Sequence, residues 1–175
     1  MGTAFFFLLF ITICVPTVFG ATKKNAETRE KPNHLSISNI HGDTPLHITV
    51  HLNDQNLTRL LIISGANIDA KNKAGFTPLH TATRSSNVSI VKMLLEFGPN
   101  VNAQTNYGNT ALHEAIVQKN VDIVNILLTS GARLDIQNQD GNTPLLMALQ
   151  NGLLDVAEIL IKYTNKPIIP RINAY

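Results

Sequence analysis

The sequence predicts an all-α fold, a solenoid of stacked helix-turn-helix units with projecting β-turn fingers. The first observation is a glycine that returns every 33 residues without an insertion, at Gly42, Gly75, Gly108 and Gly141. The second is that each glycine opens a similar phrase, with threonine two residues later and leucine four residues later. The third is an apolar helical pattern that follows every phrase. Self-similarity at such a period is typical of arrays in which each unit buries its apolar side against its neighbours.

The repeated phrase contains the parts of a turn that leads into a short helix. In Gly75-Phe76-Thr77-Pro78-Leu79-His80 the glycine permits the positive φ that a tight turn often needs. Thr77 suits the N-cap, where its hydroxyl accepts from a free amide of the first turn. Pro78 suits the first helical position, because its missing N–H would be unpaired there in any case. Leu79 then begins the apolar side of the helix.

A second, longer helix is predicted after each short one. Its apolar residues follow the i, i+3, i+4 spacing of a helix that is buried along one side. Gly65, Gly98 and Gly131 then stand where the C-terminus of a helix favours a left-handed residue. The apolar positions are Leu57, Leu60 and Leu61; Ile90, Val91, Leu94 and Leu95; Ile123, Val124, Leu127 and Leu128; and Val156, Ile159 and Leu160.

These phrases resemble the ankyrin repeat. Gly-x-Thr-Pro-Leu-His, Ile-Val-x-x-Leu-Leu and Gly-Ala-x-Ile-Asp-Ala all occur in the order and spacing of that family, over residues 38 to 169. The resemblance implies antiparallel helix pairs stacked side by side, with the turns projecting at right angles. It implies that the histidine of the phrase ties one turn to the next. It also implies a protein-binding role without chemistry.

The chain divides into segments on this basis. The polar stretch 21–37 has too few large apolar groups to order itself, although Leu35, Ile37 and Ile40 are expected to pack against the first unit. The isoleucines of the tail are expected to cover the last unit. The predicted segments are a signal peptide (1–20), a polar leader (21–37), four repeats (38–70, 71–103, 104–136 and 137–169) and a C-terminal tail (170–175).

An uncharged apolar run occupies residues 4 to 20. It is short for a membrane span and Pro16 interrupts it, while Val18-Phe19-Gly20 supplies small residues for a signal peptidase. A secretory signal cut after Gly20 is the first interpretation. The alternative is an uncleaved anchor, because no lysine or arginine precedes the run and Lys23-Lys24 follow it, which favours a cytoplasmic domain.

Composition restricts the chemistry that the chain can carry. The one cysteine, Cys14, lies inside the apolar run, so a processed chain has neither a disulfide nor a zinc–thiolate site. The formal net charge of +2 is too small to indicate a nucleic-acid or membrane surface. Two N-glycosylation sequons are present, at Asn56-Leu57-Thr58 and Asn87-Val88-Ser89, and both fall at the start of a longer helix.

The first and last units depart from the family pattern. Thr49 replaces the alanine found at the same register in the later units, and Asn53-Asp54 stands where the family prefers glycine and histidine. Leu146 takes the place of the histidine in the last unit, which suits a unit with no further neighbour. Terminal units of a solenoid are expected to be irregular because one face meets solvent.

No catalytic or cofactor motif appears. His47, His80 and His113 recur with the 33-residue period, which favours a structural role over a metal site. His47 and His51 have the i, i+4 spacing that can hold zinc, with His41 as a third candidate, but no cysteine or carboxylate cluster completes a site. The sequence therefore predicts no enzyme activity, no cofactor and no metal.

The resemblance implies partner contacts on the finger tips and on the inner face of the shorter helices. Phe76 and Tyr107 stand out because aromatic anchors often dominate interface energy, although a bulky residue at Phe76 also suits packing. The candidate partner-binding residues are Lys73, Phe76, Arg84, Asn106, Tyr107, Asn109, Gln139, Asp140 and Asn142.

Three functions are compatible with these features. The first is a secreted, monomeric ankyrin repeat protein that binds another protein, as an effector or inhibitor of the kind found in venom, saliva or parasites. The second is a membrane-anchored adaptor that retains residues 4–20. The third is a metal-dependent secreted protein.

Overall fold

The predicted all-α fold is confirmed. The computed structural model describes residues 37–164, and eight helices and no strand lie within that range. The predicted signal peptide, most of the leader and the C-terminal tail lie outside the described residues. The helices are α1 (Pro45–His51), α2 (Gln55–Ile63), α3 (Pro78–Arg84), α4 (Val88–Glu96), α5 (Ala111–Val117), α6 (Val121–Thr129), α7 (Pro144–Gln150) and α8 (Leu154–Thr164).

The helices form four consecutive pairs in two layers. The short helices α1, α3, α5 and α7 pack on one another in chain order, and so do the longer helices α2, α4, α6 and α8. Each short helix also packs on the longer helix that follows it. The apolar core lies between the layers and includes Leu79, Ile90, Leu112 and Ile123, all of which are at most 1% exposed.

The predicted caps begin the short helices. Thr77 precedes α3 with an extended backbone, and Pro78 is the first helical residue. The first three longer helices begin on polar caps that periodicity alone did not reveal. The side chain of Asp54 accepts from the Leu57 N–H at 2.9 Å, and Asn120 accepts from Ile123 at 3.0 Å. These bonds pair amides that would otherwise remain free in the first turn.

The turn between the two helices of a pair takes a left-handed residue each time. Asn53, Ser86 and Lys119 have φ values of 60°, 53° and 54°, and Gly152 follows the same register with 68°. Only glycine takes this conformation without steric strain. The first three pairs therefore keep a strained residue where the last pair has none.

The two ends of the stack leave apolar residues uncovered. Leu57 is 42% exposed, whereas Ile90 and Ile123 at the same register are fully buried. At the other end Leu149 is 49% exposed, whereas the equivalent Ile116 is fully buried. These end residues have a neighbouring helix pair on one side only within residues 37–164.

Two expectations for the first unit are wrong as a result. Leu57 and Leu60 were expected on a buried side of α2, but Leu60 is 57% exposed. Ile37 and Ile40 do not pack against the first unit, since they are 68% and 79% exposed. The apolar pattern identifies the correct side of the helix, but burial also needs a neighbour on that side.

The unusual Thr49 of the first unit has a polar partner inside the core. Its hydroxyl donates to the Leu46 carbonyl at 3.2 Å and accepts from the Thr58 hydroxyl at 3.1 Å. Both threonines are at most 5% exposed. A buried hydroxyl is tolerated when it is hydrogen-bonded, so the pair replaces an alanine and a valine without leaving an unpaired group.

Two turn glycines differ in how closely the next unit approaches them. Gly75 and Gly141 have similar positive φ values, 79° and 76°. A Cβ built on Gly75 would lie 2.5 Å from the backbone nitrogen of Asn106, whereas one built on Gly141 would meet nothing within 4 Å.

We expect Gly141→Ala to destabilise the fold by about 1–2 kcal/mol through its backbone conformation alone. Gly75→Ala should cost roughly 1–3 kcal/mol more, because the next unit must also move away. Denaturant unfolding of both variants measures the difference. Equal losses would show that the units do not approach at this glycine.

Candidate functional site

Each β-turn finger is built around one polar side chain at its base. In the second finger (Asn72–Thr77) the Oδ1 atom of Asn72 accepts from the backbone N–H groups of Ala74 at 3.1 Å and Phe76 at 2.9 Å. These residues were not predicted from the sequence, although they recur with the 33-residue period. The residues at this position are Asn39, Asn72, Thr105 and Asn138 in the fingers Asn39–Thr44, Asn72–Thr77, Thr105–Thr110 and Asn138–Thr143.

Consecutive fingers are joined through their backbones. Lys73 N–H donates to the His41 carbonyl at 3.0 Å, Asn106 to Ala74 at 3.0 Å, and Gln139 to Tyr107 at 2.9 Å. Side chains add to this row. Asn106 Nδ2 donates to the Lys73 carbonyl at 2.8 Å, and Gln139 Nε2 donates to the Asn106 carbonyl at 2.7 Å. The fingers therefore form a continuous hydrogen-bonded row.

A buried histidine ties each of the first three short helices to the following finger. His80 Nδ1 accepts from the Thr77 N–H at 3.2 Å, and Nε2 donates to the Asn109 carbonyl at 3.2 Å. A backbone N–H can only donate and a carbonyl can only accept, so the ring must be the neutral tautomer that carries its hydrogen on Nε2. The equivalent bonds join His47 to Thr44 and the Phe76 carbonyl, and His113 to Thr110 and the Asn142 carbonyl.

Burial keeps these imidazoles neutral. Burial lowers the pKa of His80 to about 4, although its hydrogen bond to the Asn109 carbonyl acts in the opposite direction. Burial likewise lowers the pKa of His47 and of His113, against the same kind of bond. In a protonated ring Nδ1 would carry a hydrogen and could no longer accept from the threonine N–H. The observed hydrogen bonds therefore require the neutral ring.

The structure gives the nine candidate contact residues different degrees of exposure. Phe76 is buried, and Asn109 and Asn142 are half-buried. The exposed residues are Lys73, Arg84, Asn106, Tyr107, Gln139 and Asp140. The most prominent is Tyr107, which is 59% exposed at the tip of the third finger. Phe76 is 8% exposed and its ring packs edge-on against His80, with centroids 5.7 Å apart. Phe76 therefore has little surface of its own to offer a partner.

A cavity of about 440 Å³ lies between the first two fingers and the helices α1 and α3. We call it the finger–helix groove. The guanidinium of Arg84 lies 4.8 Å from the centroid of the Phe76 ring beside it. Asn72 Nδ2 donates to Asp43 Oδ1 at 2.7 Å. The lining residues are Asn39, Asp43, His47, Ile48, His51, Leu52, Asn72, Phe76, Thr81, Arg84 and Ser85.

Two carboxylates near this surface have shifted pKa values. Burial acts to raise the pKa of Asp43, but hydrogen bonds from Asn72 and Asn39 outweigh it and leave the pKa below its ordinary value. Burial raises the pKa of Glu114, against the hydrogen bond from Asn109 and the nearby Arg84. Asp43 is therefore a well-satisfied anion, whereas burial makes Glu114 harder to ionise than a free glutamate.

The histidines that invited a metal interpretation have other partners. Both ring nitrogens of His47 are hydrogen-bonded, so a metal would have to displace those bonds. Among residues 37–164 no three histidine, cysteine, aspartate or glutamate side chains lie close enough to hold a metal ion. Within the same range every buried polar side-chain atom has a hydrogen-bond partner. None of the helices there is long and apolar enough to cross a bilayer.

The geometry agrees with the comparison of the chain with protein families. It matches the family described as ankyrin repeats (3 copies) over residues 21–105, 46–138 and 97–170. The chain belongs to the ankyrin repeat family. Ankyrin repeats are generally non-enzymatic protein–protein interaction modules. No curated protein matches this chain.

The buried histidines of this ankyrin repeat protein should make its stability depend on pH. Well above pH 6.5, His80 is neutral in both the folded and the unfolded state. Between pH 6.5 and about 4 the unfolded state binds a proton that the folded state does not, so stability falls as pH falls. We expect His80 alone to contribute a loss of about 3 kcal/mol across this window.

Unfolding by urea between pH 7.5 and 4 measures this dependence in the wild type and in His80→Gln. The raised pKa of Glu114 acts in the opposite direction in both proteins, so the difference between the two profiles isolates His80. We expect His80→Gln to be less stable at pH 7.5 and to lose less stability on acidification. If the free energy of unfolding fell equally with pH in the two proteins, the neutral, buried state of His80 would be contradicted.

Proposed function

We propose that this protein is a secreted ankyrin repeat protein of four repeats that binds another protein and acts by occupying its surface, as an effector or inhibitor. Each repeat would be one helix pair with the finger before it. The family match supports protein binding. Secretion rests on the apolar run at residues 4–20, and the absence of catalysis rests on the lack of a catalytic motif.

The observation that carries the binding role is the exposed ring of Tyr107. Its own backbone carbonyl accepts from Gln139 N–H at 2.9 Å, and its N–H donates to the Thr105 hydroxyl at 3.3 Å. The finger is thus fixed on both sides while the side chain remains 59% exposed. A rigidly held, exposed aromatic side chain is typical of residues that anchor protein interfaces.

The neighbouring candidate residues fit the rim of such an interface. Lys73, Asn106, Gln139 and Asp140 are exposed along the same row of fingers. Their charges are mixed and the net charge of the chain is only +2, which favours a protein partner over a nucleic acid or a membrane. We propose that the protein is a monomer when it is not bound to its partner.

A membrane-anchored adaptor remains the second candidate function. In it the apolar run is not cleaved, and Lys23-Lys24 keep the repeats in the cytoplasm. A metal-dependent function is the third candidate, and it has the least support, because the periodic histidines are engaged in hydrogen bonds.

Replacing Tyr107 with alanine tests the binding role. With a partner isolated by affinity capture on the wild-type protein, we expect Tyr107→Ala to weaken binding about tenfold or more. The free energy of unfolding should change by less than roughly 0.5 kcal/mol, because the ring is on the surface. Leu154→Ala is the matched control. Leu154 is also a large exposed side chain, at 71%, but it lies at the start of the longer helix α8 and not on a finger. Equal losses of folding and binding in Tyr107→Ala would remove the case for contact.

Expression in secreting eukaryotic cells tests the localisation and both glycosylation sites. We expect a released product that begins at Ala21 and shifts in mobility after glycosidase treatment. Asn56→Gln removes one site on the exposed start of α2. Ser89→Ala removes the other and leaves the Asn87 side chain free to cap α4, where it accepts from Ile90 N–H at 3.4 Å. A product that keeps residues 1–20 in the membrane fraction would support the anchored adaptor instead.

A further inference from the structure

One side of the finger–helix groove carries two exposed apolar side chains. Ile48 and Leu52 of the first pair are 42% and 69% exposed. At the register of Leu52 the later pairs carry Ser85, Gln118 and Asn151, all of them polar. The stack therefore does not need an aliphatic group at the register of Leu52, and Ile48 and Leu52 together give this groove a small exposed apolar surface.

The other side of the groove holds a cation with unused donors. Arg84 is exposed, and its guanidinium lies 4.8 Å from the centroid of the Phe76 ring. Its ring stacking and planar shape leave the N–H groups at its edge available. Within residues 37–164 it donates no hydrogen bond and lies within ion-pair distance of no carboxylate. Glu114 is near enough to interact with Arg84 electrostatically, and its Oε1 atom accepts from Asn109 Nδ2 at 3.1 Å.

The remaining polar groups limit what the groove can accept. His47 uses both ring nitrogens within the protein. Asp43 accepts from Asn72 at 2.7 Å and from Asn39 at 3.2 Å, so it is a fixed negative charge in the lining. A singly charged carboxylate can reach Arg84 from the open side. A doubly charged phosphate would meet stronger repulsion from Asp43.

We propose that the finger–helix groove binds a segment of the partner protein in which an apolar side chain stands next to an aspartate or glutamate. The apolar side chain packs on Ile48 and Leu52, and the carboxylate accepts two parallel hydrogen bonds from Arg84. Arginine and carboxylate match each other in this two-pronged geometry, and a hydrophobic neighbour excludes water from the bond. This assignment rests on the proposed protein-binding function and names the chemistry of one of its contacts.

Selection from a phage-displayed library of random heptapeptides on the full chain tests the assignment. Enriched peptides are synthesised with the acidic residue intact, changed to its amide, or replaced by phosphoserine, and their affinities are measured by calorimetry. We expect enrichment of an acidic residue beside leucine, isoleucine or phenylalanine. The amide peptide and the Arg84→Gln protein should each lose affinity by about 10- to 100-fold.

Two further variants separate the groove from the rest of the surface. Ile48→Ser should also weaken the peptide, whereas Val117→Gln should not, because Val117 occupies the register of Arg84 one pair further along and is 50% exposed. Thermal unfolding confirms that each variant is folded. If Arg84→Gln fails to fold, Ile48→Ser and the amide peptide still decide the result.

The outcomes are distinct. The assignment would be overturned if no peptide is enriched, or if the enriched peptides lack a carboxylate. It would also be overturned if peptides bind wild type and Arg84→Gln equally, or if the phosphoserine peptide binds more tightly. If the isolated partner needs Tyr107 but tolerates Arg84→Gln, the proposed function stands and the assignment of the groove fails. If acidic peptides need Arg84 but no partner depends on Tyr107, the assignment stands and the finger-tip contact fails.

Discussion

The hydrogen bond from a neutral histidine to the carbonyl of the next finger is the constraint on which the arrangement depends. His80 illustrates it, because one ring nitrogen fixes the start of its own helix while the other fixes the finger of the next unit. Local structure and stacking are therefore coupled through a single side chain. Burial maintains the neutral form, since desolvation disfavours the charged ring more than its hydrogen bond favours it.

Much of this fold follows from the sequence because the information is local and repeated. The period, the threonine caps and the apolar registers each depend on residues within one unit, and the structure confirms them at Thr77, Pro78 and Ile90. Burial at the ends does not follow, since it depends on a neighbour that periodicity assumes. Leu57 has the correct residue type at the correct register and is still 42% exposed.

The candidate site was harder to predict because it combines residues of different units. Phe76 and Arg84 were predicted separately, as partner contacts on the finger and on the short helix of one repeat. A packing role was one of the two predicted for Phe76, but its contact with the guanidinium, 4.8 Å away, was not predicted. Asn72 at the base of the finger was not predicted either, because it lies before the conspicuous glycine and a threonine, Thr105, takes its role in the third finger.

The bonded row of fingers has a consequence for the thermodynamics of recognition. A loop that becomes ordered only in a complex loses conformational entropy, and that loss reduces affinity. Here the Asn72, Asn106 and Gln139 side chains already hold the loops to themselves and to each other. Most of the ordering has taken place during folding, so only the exposed side chains are left to be immobilised. A modest contact area on such a pre-organised surface can therefore support tight association.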